Sequence, residues 1–431
     1  MENKRKSIHY GFVIIICCCL MMGVNIGLSF SCAGIFYKPV SESLGVGVGL
    51  FGIYMSVMYV AATLFLPVAG KLLERYSARW LFAGSSALMG LVFLAFAALN
   101  AVWEFYAVAV ALGVSVAFQL YLSFATMVNR WFSAKVGLMM GICTAASGIG
   151  GMLFSPLIAL MITSWGWRWA YAACGLLILC VVSPLLAILL RSRPEEKGLS
   201  KYGEDERRAE ADGNFRVNAT AGHGDSSPRG QAHHGAPLQA SVTYAEAVRM
   251  PVFYGVLVFS FLMMAVSTLN LFIPNYFESL SYTLEQASYA AAAVMAGVTV
   301  GKLLLGHIND RNTLLGVLLS TLGGALGLVA LVVGGALWLG LSGCVLFGLA
   351  YSGVTVQTAM LTRKVFGPEH YARIYSMVSI ALAAGGALAS GGWGLLQEAT
   401  SYLFIMAAGA VALAICAILG VAALKARKDA A

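Results

Sequence analysis

Two stretches decide how this chain is read: LPVAGKLLERYSAR (Leu66–Arg79) and VTVGKLLLGHINDR (Val298–Arg311). Each ends a long apolar run. Each also closes on the same pattern of glycine, three residues, an acid and an arginine: Gly70 with Glu74 and Arg75, then Gly306 with Asp310 and Arg311. The tetrapeptide GKLL, present in both, is out of register with that pattern. Lys71 therefore sits where the chain has already turned polar, whereas Lys302 is followed by further apolar residues. The repeat predicts two related halves, and the offset predicts that the two lysines do different things.

The composition, 60% hydrophobic and 11% charged over 431 residues, lies outside the globular range and inside the membrane class. Hydropathy separates stretches each long enough to cross about 30 Å of hydrocarbon as a helix. They run over 11–37, 46–70, 80–100, 103–127, 136–162, 169–190, 251–277, 286–308, 313–335, 337–361, 374–396 and 402–424. The expected fold is an all-α membrane protein of twelve transmembrane helices in two pseudo-symmetric six-helix bundles. Residues 1–190 form the first bundle, 191–250 a flexible linker, and 251–431 the second bundle with a short tail.

Lys and Arg gather on the cytoplasmic side of membrane helices. Placing both termini inside puts all of the 27 basic residues there except Lys38 and Arg168, which fall outside, and Lys302, which falls within a helix. The net charge of +8 is then a signal of topology and not a nucleic-acid footprint. MENKRKS at the start opens a run too long for a signal peptide, so it reads as the flank of a first membrane helix. The nine cysteines lie in apolar stretches without CxxC spacing and read as small core residues, with neither disulfide nor metal site expected. Within the linker, His223, His233 and His234 lack the cysteine or carboxylate framework of a metal site, and Tyr244–Arg249 is a candidate surface helix. No cofactor is expected, and no phosphate loop or nucleophile–base pair suggests an enzyme.

GKLLERYSAR resembles the loop signature of the major facilitator superfamily. In that family the acid and arginines hold the cytoplasmic side shut, and the resemblance extends that gating role to Gly70, Glu74, Arg75, Arg79, Gly306, Asp310 and Arg311. Such pairs form in one state and break in the other. A narrower resemblance rests on WFSAKVGLMMGICTAASGIGG from Trp131, on HYGF at 9–12, on WGWRWAY at 165–171 and on RPEEKG at 193–198. These are similar to monocarboxylate transporters and to their bacterial relatives, including oxalate:formate antiporters. The glycines of helix five, Gly141 and Gly150 among them, also read as close helix packing.

Lys302 lies about 13 Å of helix away from the polar edge at ~1.5 Å per residue. A lysine at that depth costs about 2.5–3.5 kcal/mol and needs a partner or a wet cavity. The acids Glu42, Glu104, Glu278, Glu285 and Glu398 all fall near the outer face. The missing partner is then an anionic substrate, unless the ammonium reaches water or helix-end carbonyls. The resemblance implies a substrate-binding arginine at this position, so lysine supplies a point charge and not a bidentate fork.

Polar residues at helical spacing add Asn25, Ser29 and Cys32 in helix one, and Tyr351, Thr355, Thr358 and Thr362 in helix ten. Ser115, Gln119, Ser123 and Thr126 make a stripe in helix four from which Tyr121 points away, although the resemblance favours Tyr121 as a contact. Asn270 in helix seven completes the expected substrate set of Lys302, Tyr121, Tyr351, Asn25, Asn270 and Thr355.

One cation among hydroxyls and apolar residues fits a short monocarboxylate such as lactate or pyruvate. The expected function is secondary transport of that anion by alternating access, through a monomer in a cell membrane, a bacterial inner membrane by resemblance. Oxalate fits less well, because the antiporters carry a second basic residue in helix eleven and residues 374–396 hold none. Protons are a candidate partner: Lys302 itself would take up a proton with the anion, since the resemblance places an Asp where this chain has Val298. A dicarboxylate or formate-type antiporter, an exporter of amphipathic drugs and a membrane sensor signalling through residues 191–250 are the alternatives.

Overall fold

The computed structural model of the chain describes residues 9–204, 242–333, 336–367 and 370–429, without the side chains of Asp310, Ala372 and residues 427–429. His223, His233 and His234 lie outside the described residues, as does most of the linker. Among the described residues, twelve helices are long and apolar enough to cross a membrane. They are α1 (Gly11–Ser31), α2 (Val48–Arg75), α3 (Ala78–Ala98), α4 (Val102–Trp131), α5 (Val136–Trp165), α6 (Trp167–Leu189), α7 (Pro251–Leu271), α8 (Leu284–Asn309), α9 (Thr313–Val333), α10 (Leu337–Phe366), α11 (Arg373–Ala399) and α12 (Tyr402–Ala426). Two shorter helices extend α1 and α7 beyond the apolar layer, Ala33–Leu44 and Ile273–Ser279. Large apolar side chains such as Leu64, Val333, Trp338 and Leu388 cover the outer surface, as they do where a helix bundle faces lipid. The chain is a multi-pass membrane protein.

Glycines let the helices approach closely, which is how apolar helices gain packing where no hydrophobic driving force separates them from lipid. Gly150 of α5 rests on the Gly23 backbone of α1, so any Cβ there would overlap the Gly23 carbonyl. Gly148 and Gly151 face Thr299 and Met295 of α8. Gly49 of α2 rests on Gly394 of α11. Gly141, by contrast, faces open space.

Three helices of the first half are wound wider than α over one segment each: α1 at Met21–Ser31, α4 at Ala117–Leu122 and α6 at Leu177–Val182. There the backbone closes i→i+5 hydrogen bonds, an arrangement common at functional sites.

The two halves meet along two antiparallel pairs, α2 with α11 and α5 with α8. At the face opposite the termini their ends are tied by polar contacts. Lys38 of the α1 extension reaches Glu278 of the α7 extension at 3.0 Å. The Gly49 amide donates to Glu398 Oε1 at 2.8 Å, and Ser56 Oγ lies 2.9 Å from Ser390 Oγ.

The beginning of the linker, read as flexible from composition, makes contacts with the first half. Residues 191–204 dock on the terminal face of the first half, where Trp131 Nε1 donates to the Arg191 carbonyl at 3.0 Å and Tyr202 packs against His9, Phe12 and Phe132. HYGF, WF and RPEEKG, distant in sequence, thus converge on one aromatic knot, with Lys197 over the Tyr10 ring. Past the undescribed stretch, Tyr244–Ala247 is a short helix, capped by Thr243 and Glu246.

Candidate functional site

Lys302 stands on α8 with Gly301 packed against Ser352 of α10, which puts Lys302 and Tyr351 at the same depth. Its ammonium crosses the boundary between the halves. Nζ donates to the Thr144 carbonyl at 2.8 Å and to Ser147 Oγ at 3.1 Å, both on α5. Ser147 in turn donates to the same Thr144 carbonyl at 2.8 Å. The lysine has neutral acceptors and no ion pair with any described residue. Hydrogen bonds satisfy its N–H groups but leave its charge without a counter-charge, and a charge in a low-dielectric site calls for one.

A small cavity lies between the halves, with room for about one water molecule. Its walls are Phe30, Met55, Tyr59, Ser267, Thr268, Asn270, Leu271 and Tyr351. Asn270 and Tyr351, expected from sequence, are therefore brought together here. Asn270 is 3% exposed and its Oδ1 has no hydrogen-bond partner, so a buried polar atom stands unsatisfied in the cavity wall. Tyr59 and Tyr351 bring two phenol rings to this space, and Tyr121 is not among its walls. Sequence periodicity misses Tyr59, because it lies in an apolar run with no polar stripe to announce it.

Asn25 is placed elsewhere. Its Nδ2 donates to Ser86 Oγ at 2.9 Å and to Gln119 Oε1 at 3.1 Å, and Gln119 Nε2 donates to the Phe82 carbonyl and to Ser85 Oγ, both at 2.8 Å. This network ties α1, α3 and α4 inside the first half. The second half has a similar buried amide pair, Asn309 Nδ2 donating to Gln357 Oε1 at 2.6 Å. Thr355 is exposed, and its hydroxyl turns back to the Ser352 carbonyl at 3.3 Å. Thr358 and Thr362 are buried and bond the carbonyls four residues earlier, the usual resource of hydroxyls within apolar helices.

At the terminal face, Glu74, Arg75 and Arg311 are exposed and none of them forms an ion pair with a described residue, while the Arg75 guanidinium lies over the Tyr76 ring at 5.7 Å. Arg79 stacks on Trp80 and donates Nε to the Ala187 carbonyl within its own half. Gly70 and Gly306 both face open space. The Asp310 side chain lies outside the described residues.

Residues 17–390 match the model of the Major Facilitator Superfamily, and the chain belongs to that family. It is 25% identical over 333 residues to the probable transporter MCH2 of Saccharomyces cerevisiae, a match covering 76% of this chain and 56% of that protein. The chain thus spans just over half the length of that relative. It is 28% identical over 185 residues to the oxalate:formate antiporter of Oxalobacter formigenes, covering 42% of this chain and 43% of the antiporter. Among solved structures, a bacterial homologue of the human lysosomal transporter Spinster, in an inward-facing and occupied conformation, aligns with a TM-score of 0.73 at 13% identity over 97% of this chain and 98% of that one. The nucleoside transporter NupG aligns at 0.72, also at 13% identity, over 97% and 100%. These two likenesses speak to the fold alone.

Proposed function

We propose that this chain is a secondary transporter of small organic anions and that its preferred cargo is a short monocarboxylate. The observation that carries the reading is the Lys302 ammonium, held between the halves by α5 acceptors that satisfy its hydrogen bonds without neutralising its charge. The carboxylate of the cargo supplies that charge, and the small space walled by Tyr59, Asn270 and Tyr351 must widen to take its remaining polar and apolar parts. A single cation favours a singly charged anion over a dicarboxylate. Because α5 and α8 belong to different halves, exchanging Thr144 and Ser147 for cargo loosens the boundary that must move during alternating access. Both termini and the linker are taken as cytoplasmic.

The test is an uptake panel in proteoliposomes with lactate, pyruvate, formate and oxalate at two pH values. Monocarboxylates should accumulate, and Lys302→Met should lower accumulation at least about tenfold, as expected for loss of a charge-assisted contact of about 1.5–3 kcal/mol. Lys302→Arg keeps a cation that does not titrate, so anion uptake should persist with a flattened pH profile. Undiminished uptake of every acid by Lys302→Met excludes the reading. A second reading, formate-type antiport, is favoured by the oxalate:formate relative; it predicts uptake that requires a counter-anion inside the vesicle.

A further inference from the structure

Among the described residues, one carboxylate with a buried oxygen is shared between the halves. Glu278, on the α7 extension, keeps 11% of its side chain exposed and accepts from Lys38 of the α1 extension through Oε2 at 3.0 Å. Its other oxygen, Oε1, is buried and has no donor. Lys38 is differently placed: its side chain is 35% exposed and has Glu42, one helical turn on, at 4.0 Å as a second acceptor. If Glu278 became neutral, Lys38 would still be solvated and partnered, whereas an ionised Glu278 always leaves one oxygen unmatched in a poorly hydrated place.

The charged and titratable groups around it are few. The α1 extension contributes Lys38 and Glu42. Tyr402 at the start of α12 feels both Glu278 and Glu398, and Glu398 is itself committed to the Gly49 amide. At the start of α8, Glu285 is occupied by the Tyr289 hydroxyl at 2.9 Å. Tyr276, on the same extension as Glu278, donates to the Leu331 carbonyl at 2.7 Å. Among the described residues, Lys38 is thus the one cation facing Glu278.

We propose that Glu278 is a proton-binding site built into the seal between the two halves, filled from water as the face opposite the termini closes and emptied to water as it opens. The proton adds to the carboxylate, and no other bond changes. This proposal does not depend on which cargo is carried.

Burial is the largest influence on Glu278 and pushes its carboxyl above the ordinary range, against the smaller pull of Lys38. Once the face opens, water removes that burial and the carboxyl returns toward its ordinary range. A proton therefore binds more tightly in the sealed state. Sealing is fully supported below the ordinary carboxylate range, and that support is lost as pH rises through the raised value.

Hydrogen–deuterium exchange of the full-length protein in detergent, corrected for the intrinsic pH dependence of exchange, tests this without any substrate. Between about pH 5 and about pH 8, on either side of a burial-raised carboxyl, amides of residues 33–44 and 273–279 should lose protection by about tenfold. Glu278→Gln, a permanently neutral stand-in, should keep acid-like protection at both pH values. Lys38→Met leaves the carboxylate without its cation, so its transition should move to higher pH. Glu42→Gln removes a like charge that raises Glu278, so the transition should move slightly to lower pH. Protection that does not change with pH in the parent protein, or a transition that survives intact in Glu278→Gln, overturns the proposal. Failure of the anion reading would leave these measurements untouched.

Discussion

Asn25 and Asn270 carry the same side chain at nearly the same burial, 0% and 3% exposed, and do opposite work. Asn25 donates twice into the α3 and α4 network, so Asn25→Leu strips Gln119 Oε1 of its donor and should destabilise the protein by about 1–3 kcal/mol. Both leave Oδ1 without a partner, but only Asn270 lines the cavity. Asn270→Leu should therefore be neutral or slightly stabilising in thermal unfolding, while the apparent affinity for cargo falls by about tenfold, the worth of one hydrogen bond at a desolvated site. The pair of measurements separates a residue that holds the fold from one that awaits a ligand. If Asn270→Leu lowers the melting temperature as Asn25→Leu does, Asn270 is part of the scaffold.

Helices were legible in the sequence because a bilayer imposes a length and an apolar composition on each span. The ends of α2, α5 and α10 ran further than expected, through polar turns such as Glu74 and Arg75, whereas α1 and α7 stopped earlier, at Ser31 and Leu271. The faces of the helices were harder to read. A stripe at i, i+4 and i+7 assumes 3.6 residues per turn, but Met21–Ser31 and Ala117–Leu122 close i→i+5 bonds, so Asn25 and Tyr121 sit where no α-helical wheel puts them. Pairings across helices, such as Lys302 with Thr144, were not legible because a carbonyl leaves no mark in sequence.

The glycines of α5 were read as packing residues, and the structure sorts them. Gly150→Val should cost at least about 1–3 kcal/mol, because its Cβ meets the Gly23 backbone of α1, which has no side chain to move aside. Gly141→Ala faces open space and should be neutral or stabilising by up to about 1 kcal/mol through helix propensity. Thermal unfolding of the two variants in detergent checks both signs, and equal losses would remove the packing account of this helix.

Across the whole molecule, polar ties join the halves at the face opposite the termini, while at the terminal face Glu74, Arg75 and Arg311 form no ion pair with any described residue. We propose that the partners of this repeat form in another state, as the family resemblance implies. A contact that exists in one state stabilises that state alone, and a cycle needs both states to be of similar free energy. Neutralising Glu74 should then leave the thermal stability of the present state within about 0.5 kcal/mol, the usual range for an exposed side chain. Exchange between states should still suffer: with the terminal-face latch weakened, the population sealed at that face falls and initial uptake slows several-fold. Glu74→Gln and Arg311→Gln should slow uptake alike, and the double variant should be little worse than either, since both act on one latch. Full additivity of the two losses in uptake rate would mean that Glu74 and Arg311 act separately.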